Sequence, residues 1–277
     1  SNAMPVRVIV DSSACLPTHV AEDLDITVIN LHVMNNGEER STSGLSSLEL
    51  AASYARQLER GGDDGVLALH ISKELSSTWS AAVTAAAVFD DDSVRVVDTS
   101  SLGMAVGAAA MAAARMAKDG ASLQECYDIA VDTLKRSETW IYLHRIDEIW
   151  KSGRISTATA MVSTALATRP IMRFNGGRME IAAKTRTQSK AFAKLVELAQ
   201  IRADGEPVFI AIGQNEAREA AKQLEELLRN ALPEGSSFMS VDIDPTLAVH
   251  SGPGAVSVSA VFANQAPELS TGKAGAK

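Results

Sequence analysis

VRVIVDSSACLP, residues 6–17, is typical of a strand followed by a loop and the start of a helix. Val6–Val10 is a short β-branched run, Asp11-Ser12-Ser13 ends it, and Pro17 suits the first turn of a helix. The same order recurs outward along the first half, with apolar runs at 26–34, 66–71, 94–98 and 139–143 and predicted helices at 47–60, 76–89, 103–118 and 122–136. Short apolar strands that alternate with helices indicate a parallel sheet with helices on its faces.

The second half of the sequence indicates a mixed sheet. Asn175-Gly176-Gly177 separates two apolar segments, 169–174 and 178–183, and this arrangement is typical of a β-hairpin. Helices predicted at 157–167, 188–203 and 216–231 and strands predicted at 208–212, 238–243 and 255–262 complete this half. We therefore predict an α/β protein with an N-terminal parallel-sheet α/β/α domain at 4–155, a mixed-sheet α/β domain at 156–265 and a disordered tail at 266–277.

Composition excludes several classes of function. The 277 residues include 26 basic and 34 acidic side chains and have no basic run, so we expect no nucleic-acid binding. The longest apolar stretch, 104–114, is about half the length that a membrane-spanning helix needs, and we expect none. Two distant cysteines indicate a reducing, cytoplasmic setting without a disulfide framework. Ser1-Asn2-Ala3 before Met4 is typical of an expression-tag remnant and is left out of the fold argument.

Hydroxyl groups follow several of the predicted strands, where a parallel sheet binds its ligands. They lie at Ser12-Ser13, 41–43, 72–78 and 99–101. Serine and threonine are also ordinary helix caps, so no single position indicates a site. Hydroxyls that recur at strand exits nevertheless predict a small, uncharged pocket that suits a carboxylate or a phosphate.

Motifs for catalysis and for metal binding are missing from the sequence. It contains no phosphate-binding loop, no dinucleotide fingerprint and no nucleophile elbow, and its five histidines have no metal-ligand spacing, so we expect neither metal nor cofactor. Asp11 could be a nucleophile or an acceptor that orders its loop. His250, before Ser251-Gly252-Pro253-Gly254, could be held in one pose by a rigid loop or could lie exposed on a plain turn. Arg154 could bind an anion or could follow a helix C-cap.

Taken together, six motifs resemble the DegV family in order, from about residue 6 to residue 262. They are Asp11-Ser12, Thr42-Ser43, Ile71-Ser72-Lys73-Glu74-Leu75-Ser76-Ser77-Thr78, Gly153-Arg154-Ile155, Lys184-Thr185-Arg186 and His250-Ser251-Gly252-Pro253-Gly254. The resemblance implies a DegV-like fold that holds one long-chain fatty acid in a tunnel between two domains. It also implies a protein that is not itself an enzyme and has no nucleotide site. A separate dihydroxyacetone-kinase-like subunit would phosphorylate the presented carboxylate.

The resemblance also implies which residues bind the ligand. The carboxylate would be bound by Thr42, with Ser43 second, and by Ser76, His250 and Arg154, while Arg186 would face the kinase subunit. Candidate residues for the apolar tunnel wall, which could equally be ordinary core, are Met161, Val162, Leu166, Ile171 and Met172.

Four positions depart from the family's pattern. Gly44-Leu45 stands where the family has Gln-Pro, and Ser77 and Ser152 each stand where it has glycine. Two functions from other classes also stay open. One is an enzyme that acts on an acidic or phosphorylated metabolite through Asp11 or a loop serine, with His250 as base. The other is a regulatory sensor whose bound lipid switches a partner.

Overall fold

The chain is described by a computed structural model that covers residues 6–36, 39–61, 64–145 and 168–266. Its strands are β1 (Arg7–Asp11), β2 (Ile26–Ile29), β3 (His32–Asn36), β4 (Glu39–Ser43), β5 (Val66–Leu69), β6 (Val94–Val97), β7 (Ser137–Tyr142), β8 (Ile171–Asn175), β9 (Arg178–Ala183), β10 (Phe209–Gln214), β11 (Ser237–Asp242) and β12 (Val256–Val261). Its helices are α1 (Thr18–Asp23), α2 (Ser47–Gly61), α3 (Thr78–Ala86), α4 (Gly103–Lys118), α5 (Leu123–Lys135), α6 (Gln188–Ala203), α7 (Arg218–Ala231) and α8 (Pro245–Ser251). A short 3-10 turn occupies Ser12–Ala14.

The first sheet is parallel throughout, with strand order β2-β1-β5-β6. Every residue of β1 and β5 is buried, because helices cover both faces of the sheet. The chain leaves β1 toward β2 on one side and later returns to β5 on the other. In such sheets ligands bind at the carboxyl ends of the strands where the order reverses, which here lies between β1 and β5.

The second sheet is mixed, with strand order β11-β10-β12-β7-β8-β9, and β10 and β11 are its parallel pair. The predicted hairpin is confirmed: β8 and β9 pair antiparallel, and Gly176 and Gly177 turn the chain with φ values of 61° and 84°. The α/β fold with one parallel and one mixed sheet is therefore as predicted.

The strand β7 belongs to the second sheet, which its sequence did not indicate. The predicted boundary at 155 groups β7 with the N-terminal domain, but β7 pairs with β12 and β8 of the second sheet. Its apolar run would suit a central strand of either sheet, and only its pairing partners distinguish them. We therefore propose that the division between the domains falls between α5 and β7.

Two elements go beyond what the sequence pattern indicated. The apolar run at 26–34 is two strands: β2 joins the parallel sheet, whereas β3 forms a separate hairpin with β4. Residues 245–251, to which the sequence analysis gave no helix, form α8, and the N-cap Asp244 and Pro245 in the first turn signal its start. The helix predicted at 157–167 lies outside the described residues.

The predicted helix at 103–118 is confirmed as α4, which packs between the two sheets against β1 and β12. Most of its residues are buried and many are alanine, so this helix is apolar around most of its circumference. Gly107 allows this close packing, because a Cβ there would lie 2.9 Å from the backbone oxygen of Ala14. Among the described residues, no helix is long and apolar enough to span a membrane.

Candidate functional site

A cavity of about 370 Å³ lies between the carboxyl edge of the first sheet and the inner face of the second. The loop after β1 contributes Cys15, and the loops after β5 and β6 contribute further wall residues. Much of the wall is apolar and belongs to one buried cluster, formed by Ile71, Leu75, Leu102, Ile141, Phe174 and Met179. The cavity can therefore hold an apolar molecule out of water.

Three of the predicted carboxylate-binding residues meet at this cavity. Thr42 and Ser43 end β4, His250 lies in the last turn of α8, and all three line the cavity wall. The hydroxyl oxygen of Thr42 lies 2.9 Å from Nε2 of His250, although 208 positions separate the two residues in the chain. The fold thus joins two motifs that the sequence keeps far apart.

His250 lies in the last turn of the helix α8, ahead of the loop that the sequence analysis considered. The glycines of the following loop have φ values of 75° at Gly252 and 85° at Gly254. A Cβ at Gly254 would lie 2.7 Å from the Cβ of His144, so this close approach requires glycine. The loop therefore packs against His144 after the end of β7, and α8, which precedes the loop, carries His250 and contacts β3 and β4.

Ser76, the fourth predicted residue, also lines the cavity and is fixed by hydrogen bonds from behind. The Leu45 N–H donates to the Thr78 hydroxyl at 3.1 Å, and the Thr78 N–H donates to the Ser76 hydroxyl at 3.2 Å. The two hydroxyl oxygens are 2.9 Å apart. Since Thr78 accepts from Leu45, its own hydrogen can go to Ser76, which leaves the Ser76 hydrogen for a ligand. Thr78 is fully buried, and the sequence analysis, which included it in the motif of Ser76, gave it no role of its own.

Two of the departures from the family's pattern contact each other. A Cβ at Gly44 would lie 2.7 Å from the hydroxyl oxygen of Ser77 and 2.8 Å from that of Thr78. A side chain at position 44 would therefore displace the loop that carries Ser76. Glycine at 44 leaves the room that serine at 77 occupies, so the two changes compensate for one another in space.

The remaining predicted residues do not line the cavity in the described part of the chain. Arg154 lies outside the described residues, as do Met161, Val162, Leu166 and Ser152. Arg186 is exposed, between β9 and α6, and does not belong to the cavity wall. Ile171 and Met172 are fully buried core residues, and Met172 packs in the cluster that backs the apolar wall.

Asp11 lies behind the cavity in a separate, closed network. Its carboxylate accepts hydrogen bonds from His70 Nδ1 (3.1 Å), from the Ile71 N–H (2.9 Å) and from the N–H and hydroxyl of Ser13. The other His70 nitrogen bonds the Tyr54 hydroxyl at 2.8 Å. Burial alone would raise the pKa of Asp11, but these hydrogen bonds outweigh it and hold the pKa below its ordinary value.

This network favours the interpretation of Asp11 as an acceptor that orders its loop. Asp11 is 1% exposed and does not line the cavity, so no substrate reaches its oxygens there. His250, the suggested base, bonds Thr42 instead. Cys15 does line the cavity, but burial and nearby Asp244 and Asp11 raise the pKa of its thiol to about 12, so it stays protonated. Among the described residues, no cluster of acidic, histidine or cysteine side chains could hold a metal ion.

Comparison with known proteins agrees with this architecture. The family model described as "Uncharacterised protein, DegV family" matches residues 33–263. A DegV domain-containing protein of Streptomyces coelicolor is 35% identical over 91% of this chain and 97% of its own length. The crystal structure of a DegV family protein from Corynebacterium glutamicum is 99% identical, with a TM-score of 0.93, and covers 96% of this chain and 100% of that one.

A further solved structure is that of DegV from Bacillus subtilis, described as a fatty acid binding protein. It is 26% identical, with a TM-score of 0.81, and the match covers 94% of this chain and 99% of that one. The family model covers most of the chain, and the Streptomyces relative is similar over nearly its whole length. The chain therefore belongs to the DegV family.

Proposed function

We propose that this protein binds one long-chain fatty acid in the cavity between its two sheets. The observation that carries the proposal is an apolar cavity that has uncharged hydrogen-bonding groups from Thr42, Ser76 and His250 in its wall. Burying an alkyl chain stabilises a complex by roughly 0.8 kcal/mol per methylene, so a tail of about 15 carbons could contribute on the order of 12 kcal/mol before ordering costs. The related Bacillus protein, described as fatty acid binding, supports the same ligand class.

The carboxylate would lie against Thr42, Ser76 and His250, with Ser43 as a second hydroxyl on β4. A carboxylate removed from water must find hydrogen-bond donors, because an unsatisfied one costs several kcal/mol. If His250 Nε2 donates to the Thr42 hydroxyl, the Thr42 hydrogen is left for the ligand. In the same way, donation from the Thr78 hydroxyl to Ser76 leaves the Ser76 hydrogen for the ligand. Arg154, assigned to the same group by the family resemblance, lies outside the described residues.

We further infer that the protein is not itself an enzyme and presents the carboxylate to a separate kinase subunit. That subunit, of the dihydroxyacetone-kinase type, would form the acyl phosphate, and the exposed Arg186 would face it. The inference is supported by the position of the polar groups, since Ser43, Ser76 and Ser77 lie on segments that reach the surface.

The proposal is tested in two steps. Purified protein is extracted with organic solvent and the extract is analysed by mass spectrometry; a fatty acid at about one per chain is expected, and its absence, with no binding of added fatty acid, would contradict the proposal. Protein loaded with labelled fatty acid is then mixed with a kinase subunit and ATP. Acyl phosphate that forms only when both proteins are present supports presentation. Lipid-dependent association without acyl phosphate would instead support a regulatory sensor.

A further inference from the structure

The cavity has a second polar region, on the inner face of the second sheet. Thr139 on β7 and Ser259 on β12 lie directly opposite one another in the antiparallel register. Both side chains are 3% exposed, both line the cavity, and their hydroxyl oxygens are 3.0 Å apart. Ser257 is two residues along β12, so it lies on the same face, and it also lines the cavity. These hydroxyls are on the second sheet, whereas Thr42 and Ser76 are on segments of the N-terminal half.

This region has hydrogen-bonding capacity that no described residue uses. Thr139 and Ser259 share one hydrogen bond and form no other, so one of their two hydroxyl hydrogens has no acceptor there. The helix α4 begins beside them, since a Cβ at Gly103 would lie 3.9 Å from the Ser259 hydroxyl oxygen. Leu102 provides no side-chain cap, and Leu102, Gly103 and Met104 line the cavity at the first turn of α4. Backbone N–H groups at such an end attract an acceptor oxygen.

A plain alkyl chain cannot satisfy these donors. A buried donor left without an acceptor is unfavourable, and a site with such a donor binds a ligand that lacks the matching oxygen less tightly. Ser251, next to His250 in α8, is a third hydroxyl that supports this conclusion. It is 6% exposed and lines the cavity, and its buried hydroxyl oxygen has no hydrogen-bond partner among the described residues. The cavity is therefore built for an occupant that carries more than one oxygen-bearing group.

We propose that the preferred ligand is a long-chain fatty acid that carries a second oxygen, as a hydroxyl or keto group, on its alkyl chain. That oxygen binds Thr139, Ser259 and the first turn of α4 while the carboxylate binds the Thr42 end. The inference rests on the proposed function and names its substrate class. The hydroxyls of Thr139 and Ser259 are fixed on central strands of the second sheet. The second oxygen of the ligand must therefore lie at one fixed distance along the alkyl chain from the carboxylate.

The test is competition against a fluorescent fatty acid on the full-length, delipidated protein. The competitors are stearic acid and a series of hydroxystearic acids that differ in the position of the hydroxyl. The wild-type protein is expected to bind one member of the series at least about fivefold more tightly than stearic acid, as one additional hydrogen bond allows. Thr139→Val and Ser259→Ala are expected to remove that preference, whereas Thr139→Ser, which keeps the hydroxyl, retains it.

The outcomes separate this inference from the proposed function. Equal affinity for stearic acid and for every hydroxystearic acid, unchanged in both variants, would overturn the inference and leave fatty-acid binding intact. A protein that binds none of the acids would contradict the proposed function itself. Should Thr139→Val not fold, Ser259→Ala removes a single oxygen atom next to it and gives the same comparison.

Discussion

Two clusters of this protein each pair a histidine with a hydroxyl group, and they differ in burial. His70 lies in a closed network with Asp11 and Tyr54, in which each polar atom has a protein partner and no side chain reaches the cavity. His250 bonds Thr42 at the cavity wall, beside Ser76. The first cluster draws its side chains from the end of β1, the segment after β5 and α2, and the second draws them from β4, the loop after β5 and α8. Each cluster therefore joins segments that are far apart in the chain.

The comparison separates the two clusters by access: the hydroxyls of Thr42 and Ser76 line the cavity, whereas the side chains of Asp11, His70 and Tyr54 do not. Two of the hydrogen bonds that Asp11 accepts come from Ser13 in its own loop, and the other two, from His70 and Ile71, fix the end of β1 relative to the segment after β5, at the point where the strand order of the sheet reverses. That network thereby positions the loop of Ile71 to Thr78, which carries Ser76. The closed cluster, formed by Asp11, His70 and Tyr54, therefore stabilises the fold. The open cluster, formed by Thr42, Ser76 and His250, faces the cavity.

The largest expected effect comes from breaking the closed cluster. Asp11→Ala leaves buried donors of His70, Ser13 and Ile71 without their acceptor and should lower the free energy of unfolding by about 3–5 kcal/mol. Chemical denaturation measures the effect. Asp98→Ala is the matched control, because Asp98 also follows a strand but is exposed and pairs with Lys73 on the surface; its effect should stay below about 1 kcal/mol. Equal effects of the two substitutions would show that the network does not stabilise the fold.

The same cluster predicts an acid-dependent loss of stability. The pKa of Asp11 in the folded protein is below its ordinary value of 3.8, so the ionised form stabilises the fold above that pH. As the pH falls below 3.8 toward the lower folded-state pKa, the unfolded chain takes up the proton first and this contribution is lost. Denaturation at a series of pH values should therefore show a smaller difference between wild type and Asp11→Ala in acid. A difference that does not change with pH would contradict the assignment.

Substitutions in the open cluster should change the affinity for fatty acid more than the free energy of unfolding. Thr42→Ala combined with Ser76→Ala removes two hydroxyls from the carboxylate site and should weaken fatty-acid binding by about 1–3 kcal/mol. Calorimetric titration measures the loss, and the free energy of unfolding of the ligand-free protein should change less than in Asp11→Ala. Thr84→Ala, on the exposed face of α3, is the control for a lost threonine hydroxyl. Unchanged affinity of the double variant would remove both residues from the site.

The pair formed by Gly44 and Ser77 tests the fit of the two loops around the open cluster. Gly44→Ala should destabilise the fold by about 1–3 kcal/mol, because the new methyl group meets the hydroxyls of Ser77 and Thr78. Adding Ser77→Gly should recover part of that loss, since it removes the nearer of the two hydroxyls. Thermal denaturation of the single and double variants measures the coupling. Strictly additive effects would mean that the two positions do not compensate for each other.

The smallest effect is expected at Thr78, which acts through Ser76. Thr78→Val keeps the shape of the side chain but removes the bridge from the Leu45 N–H to Ser76, and it should weaken fatty-acid binding by about 1 kcal/mol. Thr78→Ser keeps the hydroxyl and should restore the affinity. If valine and serine at this position give the same affinity, Thr78 only fills space behind the site.

Periodicity and turn chemistry in the sequence suffice for much of the fold. The alanine-rich segment 103–118, the hairpin at Asn175-Gly176-Gly177 and the alternation of short strands with helices each have a local physical cause, and each is confirmed. Local signals do not say which sheet a strand joins. For that reason the sequence does not show that the run at 26–34 divides between β2 of the parallel sheet and β3 of a hairpin, or that β7 pairs with strands of the second sheet.

What the sequence by itself determined about this protein is its fold class, its family and the residue types that could face a carboxylate. Only the tertiary structure decided which of those residues meet. It brought Thr42 to His250, placed Thr78 behind Ser76 and closed Asp11 away from the cavity. The reason is physical: backbone propensity acts over a few residues, whereas burial and hydrogen-bond satisfaction depend on segments that are far apart in the chain and are joined only when the two sheets pack around α4.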